Sequence, residues 1–304
     1  MRIYWMIFVL ILLLSNSMVL AQAQDDQRQL IPEEFIKARP KKAAAAVAPK
    51  TRYRLANSVE VKNTKDIQCA DHHCRQLGLT LWRLRPGKDE DPARIIIHEG
   101  AETTTLTPER IAANTPLKYG EKIRLSFEAP HTGYLYVIDR ELFSNGTTGT
   151  PHLIFPTLRI RGGDNAVAPG RLIEIPSQED RPNFFTLQQS RIENVGELLT
   201  VIVAPHPLPG LTITERAQTL TLEQVTQWEQ QWGGKMEQFE MMGGEGAAWT
   251  KVEQQAGAER TRDLTQNDPG PQTIFRVVVK PGTPLLVNVG LKYQRPKAKA
   301  RNRK

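Results

Sequence analysis

The chain has 304 residues, with 40 Lys and Arg against 33 Asp and Glu, a formal charge of +7. That length suits one good-sized domain with extensions. The charge is unevenly placed: residues 24–54 carry eight basic and four acidic side chains, residues 295–304 carry six basic and no acidic ones, and residues 55–294 carry 25 basic and 29 acidic, a net of −4. A nucleic-acid-binding core needs a basic groove, so the mildly acidic middle argues against that class.

The first 23 residues read as a secretory signal peptide. Met1 and Arg2 give a positive start, Ile3 to Leu14 is almost wholly apolar, and Ser15, Asn16 and Ser17 lead to Ala21-Gln22-Ala23, an A-x-A cleavage site. The apolar run is short for a bilayer span, which takes about 20 residues. The expectation is an exported protein, periplasmic or secreted, that begins at Gln24, or at Gln22 if Val19-Leu20-Ala21 is read as the cleavage site, and keeps no transmembrane anchor after cleavage. Residues 24–54 then read as a linker, with Pro32, Pro40, Lys41, Lys42, the Ala43–Ala46 run and Pro49. Such composition buries too little surface to offset the entropy of ordering.

Cys69 and Cys74 are the two cysteines. In an oxidising compartment a pair reads first as a disulfide. The alternative is a zinc site of Cys69, His72, His73 and Cys74. All four candidates lie within six residues, whereas a structural zinc site draws ligands from two separated clusters. The disulfide is therefore preferred over metal, and no cofactor is expected.

A β pattern then sets in. Leu77, Leu79 and Leu81 precede the Pro86-Gly87 turn, and Ile95–Ile97 is β-branched. Ile123, Leu125 and Phe127 alternate with Arg124, Ser126 and Glu128, which predicts a half-buried strand. Tyr134–Asp139 reads as a strand before the turn Ser144-Asn145-Gly146. His152–Phe155 stops at Pro156 and Leu172–Ile175 at Pro176. Leu198–Val203 is nearly all apolar, so it should be central, and Ile274–Val279 and Leu285–Leu291 close the series. Many short strands with Gly and Pro turns predict a mainly β fold, an antiparallel β-sandwich of immunoglobulin-like type over residues 55–294, with disordered basic termini.

One amphipathic helix is expected over 221–241, from Leu222, Val225, Trp228, Trp232, Met236 and Phe239 at spacings of three or four; Gly233-Gly234 interrupts it, so it is either one kinked helix or a helix followed by a turn. Thr221 and Gln224 fit a capping box. Residues 243–272, with five glycines and no sustained periodicity, read as a long mobile insertion.

Within residues 117–207 a set of features recurs in order. Tyr119-Gly120-Glu121 precedes a strand, Gly133-Tyr134-Leu135-Tyr136-Val137 follows, and a turn with Gly146 leads to Leu153-Ile154-Phe155-Pro156. Pro169-Gly170-Arg171, Ile175-Pro176 and the run Glu197–Val201 complete it. This order resembles the bacterial "domain of unknown function 4384" family over about a third of the chain. The resemblance implies an exported or envelope-associated accessory domain of β type. It brings no catalytic residues.

His98, His131, His152 and His206 are scattered, and with Asp139 and serines they suggest at most a triad. No Gly-x-Ser-x-Gly, His-Glu-x-x-His or Walker-type loop occurs. Tyr134 and Tyr136 share a strand face by period two and form one candidate ligand surface; Trp228 and Trp232 on the helix form another. The default explanation is that the tyrosines fill the sandwich core and that the tryptophans pack against the sheet. The tail Arg295, Lys297, Lys299, Arg301, Arg303 and Lys304 can attract anionic surfaces in a salt-dependent way. The expected function is a non-enzymatic interaction module that binds an envelope protein or glycan. The alternatives are a metal-assisted hydrolase using the Cys69–Cys74 segment, or a subunit of a secretion or surface assembly.

Overall fold

The computed structural model describes residues 32–41, 51–59, 74–99, 102–258 and 262–294. The signal segment, Cys69, His72, His73 and the basic tail 295–304 lie outside the described residues, as does most of the linker. The chain is mainly antiparallel β in two sheets, as the strand series predicts. The nine-stranded sheet runs β1 (Tyr53–Val59), β13 (Met236–Met241), β14 (Thr273–Val278), β2 (Cys74–Pro86), β4 (Glu102–Ile111), β3 (Ile95–Glu99). On the other edge of β2 lies β5 (Lys122–Glu128), which carries β9 (Ile173–Ile175) and β10 (Phe185–Thr186). The six-stranded sheet runs β12 (Gln218–Thr219), β7 (His152–Phe155), β6 (Gly133–Phe143), β11 (Asn194–Ala204), β15 (Leu285–Lys292), with β8 (Ala166–Val167) on β6.

The two sheets share one apolar core. Leu77, Leu79 and Leu81 of β2 and Ile123, Leu125 and Phe127 of β5 meet Leu135 and Val137 of β6, Leu199, Val201 and Val203 of β11, and Val287 and Val289 of β15. Period-two alternation puts each set on one face. β11 is central in its sheet, paired on one side with β6 and on the other with β15. Pro156 and Pro176 directly follow β7 and β9, where a residue without an N–H cannot extend the ladder.

The outer faces are covered too, and here three expectations are corrected. First, β5 is not half-buried: Arg124, Ser126 and Glu128 are no more than 2 % exposed. Their polarity is met by partners rather than by water. Arg124 bonds Glu174 of β9 at 2.8 Å, Ser126 accepts the Trp82 indole N–H at 2.7 Å, and Glu128 receives Arg39 through two bonds of 2.6 and 2.7 Å. Second, the expected linker supplies part of this cover. Residues 32–37 form a helical turn whose Phe35 packs with Phe239 and Ile274, and β1 begins at Tyr53.

Third, the expected mobile insertion contains a folded element. Helix α2 (Lys251–Gly257) follows a full capping box: Thr250 Oγ1 accepts the Glu253 N–H and Glu253 accepts the Thr250 N–H. The box is the sequence pattern Thr-x-x-Glu, present but without an apolar stripe to mark it. Its other anchor is Trp249, 1 % exposed and 6.1 Å from the Trp82 ring, with the Arg124 guanidinium over it. Glu253 also pairs with buried Arg110 of β4. Gly170, at φ +84°, and Gly257 let the cover sit close. A Cβ on Gly170 would lie 2.5 Å from the Leu264 carbonyl, and one on Gly257 about 2.1 Å from the Glu174 carboxyl.

The expected helix over 221–241 is also shorter. Helix α1 (Leu222–Trp232) starts on the Thr221 cap, whose Oγ1 accepts the Gln224 N–H at 3.1 Å, and ends at Gly233. Met236 and Phe239 continue the helical spacing by coincidence. They lie in β13, held between β1 and β14. No helix among the described residues is long and apolar enough to cross a membrane.

Two outcomes follow for stability. Arg39→Ala should cost about 3 kcal/mol or more in urea unfolding, because it strands a buried carboxylate, while replacing both partners with Arg39→Met and Glu128→Leu should cost less than Arg39→Ala alone. Trp249→Ala should cost about 3–5 kcal/mol and open residues 243–258 to limited proteolysis; in the unaltered chain that stretch should resist cleavage as the strands do.

Candidate functional site

The structure brings the four sequence-selected aromatics together, on the outer face of the six-stranded sheet. Tyr136 is buried there with Ile138, Leu153 and Ile202, and its hydroxyl accepts the Leu208 N–H at 2.9 Å. Tyr134 packs at the margin. Trp228 and Trp232 stack with ring centroids 5.6 Å apart, near parallel, and lie half-buried over the same layer. Beneath α1, Arg140 donates to Thr200 at 2.8 Å and pairs with Glu229 of the helix. This layer fastens the helix to the sheet, and Tyr136 offers no open platform; nor do the tyrosines fill the core between the sheets as expected, because Leu135 and Val137 take that face of β6.

The histidines stay apart. His98, His152 and His206 are exposed, and burial together with Arg75 holds His131 down to about 4. Cys74 opens β2 in register with Val278. Among the described residues no group of three or more His, Cys, Asp or Glu is placed to hold a metal ion.

A cleft of about 870 Å³ opens between the sheets, within the usual range for ligand pockets. One wall is Ile123 and Leu125 of β5 with Phe185 of β10 and Leu187. The other is the inner face of β6, β7, β11 and β15, with the 148–151 and 188–191 loops at the rim. On that inner face the apolar phase changes to acid. Leu135 and Val137 are followed at period two by Asp139 and Glu141, and Glu197 precedes Leu199, Val201 and Val203 in the same phase. Register puts Glu197 opposite Glu141 and Leu199 opposite Asp139. Three carboxyls thus line the cavity where core side chains would otherwise meet.

Their partners are few. Glu197 Oε1 accepts the Tyr293 hydroxyl at 2.6 Å and Asn194 Nδ2 at 3.5 Å; Asn194 also reaches Glu141 at 3.3 Å. Asp139 Oδ1 and Glu197 Oε2 are buried with no hydrogen-bond partner among the described residues. Burial raises Asp139 to about 6, helped by Glu141 and opposed by a backbone bond and Arg140. Burial, then the nearby Asp139, raises Glu197 to about 8, against the Tyr293 and Asn194 bonds. Tyr293 is raised as well, by burial and by its bond to Glu197. Of these residues only Asp139 was singled out by sequence reasoning. The available signal was a carboxylate in the phase of a core face, on both β6 and β11.

Exposed apolar side chains flank the mouth. Leu222, 48 % exposed, lines the cleft at the start of α1, and Ile192, 86 % exposed, follows rim residue Arg191. Arg191 itself lies over the Phe143 ring at 5.7 Å.

A carboxyl raised in the folded state favours folding fully below its unfolded value and loses that contribution as pH rises through the folded one. Asp139 and Glu197 should therefore make stability fall between roughly pH 4 and pH 8. His131 acts with opposite sign between about 4 and 6.5, so comparison with variants isolates the carboxyls. Chemical denaturation across pH should show a flatter decline in Glu197→Gln, and greater stability than the unaltered chain above pH 8. An unchanged slope in Glu197→Gln would remove Glu197 as its source.

Comparison with known protein families, with curated proteins and with solved structures finds no match for this chain.

Proposed function

We propose that the chain is an exported, non-enzymatic interaction module of the cell envelope that engages its ligand in the cleft between its two sheets. The observation that carries this reading is the cleft itself: a ligand-sized cavity with apolar walls from both sheets and an acidic floor in which Asp139 Oδ1 and Glu197 Oε2 lack partners among the described residues. Other buried polar atoms of the described residues, Arg124 Nε and Gln272 Oε1 among them, also lack partners, so what supports the reading is that these two belong to residues lining a ligand-sized cleft. Kinship with the domain of unknown function 4384 family belongs to the same proposal. Most of the lining, from Ile123 to Leu199, falls inside residues 117–207, and only Leu220, Leu222, Leu291 and Tyr293 come from beyond it.

Export supplies the setting, and the six cations of 295–304 would add electrostatic attachment to an anionic envelope surface. Exposed charges act through a field about 8 Å deep at physiological salt, whereas contacts inside the cleft persist as salt rises.

Thr150→Trp narrows the mouth at an exposed rim position and should leave the fold intact. In envelope fractions it should lower salt-resistant retention at least fivefold. Deleting 295–304 should lower only the salt-sensitive part. N-terminal sequencing of the retained protein should read from Gln24. Salt-resistant retention unaffected by Thr150→Trp would remove the cleft from the function, and an intact Met1 on protein confined to the cytoplasm would end the export reading.

A further inference from the structure

We propose that the cleft receives an alkyl chain ended by an ammonium or guanidinium group, with the cationic head on Asp139 and Glu197 and the methylenes between the two sheets. This deepens the reading that the cleft is the binding site and rests on it.

The argument starts from what the cavity lacks. Glu197 Oε1 already accepts from Tyr293, while Glu197 Oε2 and Asp139 Oδ1 accept from nothing among the described residues. Once Glu197 is ionised, a group that meets both, each carboxyl turning its covered oxygen toward the cavity, must bring at least two N–H or O–H donors. The charge of the floor narrows the choice. Asp139 and Glu141 of β6 and Glu197 of β11 face the cavity, with Tyr293 just after β15, His152 of β7 and Arg191 of the rim loop. Arg191 is engaged over Phe143, and His152 is exposed beside Thr219. The wall from β5 and β10 adds Ile123, Leu125, Phe185 and Thr186, none of which titrates. An anionic ligand would meet three carboxyls. A neutral apolar one would leave both oxygens unpaired in a drier cavity, where an unmet buried acceptor is costly. A cation with several donors answers both needs, and charge-assisted bonds of this kind are the strong ones.

The apolar walls set the other half of the ligand. Ile123 and Leu125 stand on one side and Ile154 and Leu199 on the other, a slot suited to methylenes. Long cationic side chains bury their stems along such surfaces. The same chemistry is offered by a lysine or arginine side chain of a partner protein and by a free polyamine.

Proton balance gives the inference a readout of its own. Glu197 sits near 8 in the empty cleft, so at pH 7 the arriving cation displaces a proton from its carboxyl to the solvent. Calorimetric titration of the full mature chain would use N-acetyl-lysine methylamide, N-acetyl-arginine methylamide and spermidine as probes, with N-acetyl-norleucine methylamide as the uncharged counterpart. Each would be measured at pH 6 and 8.5 and, near pH 7, in buffers of differing ionisation heat. The cations should bind at least tenfold tighter than the norleucine compound, tighter at pH 8.5 than at 6, with net proton release at pH 7. Glu197→Gln should weaken them about tenfold and remove both the proton release and most of the pH dependence. Asp139→Asn should weaken them without removing the release, and thermal melting would establish that both variants fold. Preference for the amino-acid amides over spermidine would assign the head group to a partner's side chain, and the reverse to a free polyamine. Equal binding of the norleucine compound, or cation binding indifferent to Glu197→Gln, would overturn the cationic ligand while leaving the cleft as a site. Failure of every cation to bind would overturn it too, and the cleft reading would then stand or fall on Thr150→Trp.

Discussion

The bond between Arg39 and Glu128 organises one whole side of this molecule. Glu128 ends a central strand, and Arg39 comes from a segment 89 residues earlier in the chain. The guanidinium meets the carboxylate through two nitrogens and spends its remaining hydrogens on the carbonyls of Thr265, Asp268 and Pro269. One side chain thus joins the N-terminal segment, β5 and the stretch before β14. A buried ion pair is not by itself a large source of stability, because desolvation opposes the attraction. Its effect is on specificity: the cover must sit where the charge is matched, since any other placement strands a buried charge. Arg124 with Glu174 and Arg110 with Glu253 repeat the arrangement on the same sheet, and Arg140 with Glu229 on the other.

The cleft is the complement of that rule. On the outer faces each buried strand charge has a partner of opposite sign. On the inner face, at the Asp139 end, three carboxyls are set together, and a tyrosine and an asparagine donate to Glu197 and Glu141 but not to Asp139. The sheets stay apart there because acids cannot close a core as Leu135 and Val137 do farther along β6. Cavity and raised carboxyls have one cause, which is acidic residues held in a core phase by ladders on both sides. The molecule gives up packing at that end and retains buried acceptors for a ligand to meet.

Much of the fold could be read from the residues. Period-two alternation located β5 and its inward side chains, apolar runs located β2, β6 and β11, proline marked the ends of β7 and β9, and the Thr221 cap marked the start of α1. These are local signals, set by backbone geometry and side-chain phase within a few residues. Most of the readings that changed assumed that polar residues face water; the helix over 221–241 was instead overextended by the apolar spacing of Met236 and Phe239. Arg124, Ser126 and Glu128 alternate like a solvated face, and the segments around Arg39 and Glu253 look too polar and too rich in Gly or Pro to fold. Each is buried because its partner lies far along the chain, and no local pattern carries that information.

For the site the division is sharper. The available chemistry is already set by the order of residues: Asp139 and Glu141 in the phase of Leu135 and Val137, Glu197 in the phase of Leu199, and Tyr134 and Tyr136 on the opposite face from Asp139. The folded chain adds the register in which β6 and β11 pair to gather the acids, and the cover of α1 over the tyrosines. A strand's side-chain phase is fixed within the strand, whereas which face is covered, and by what, is fixed by elements tens of residues away.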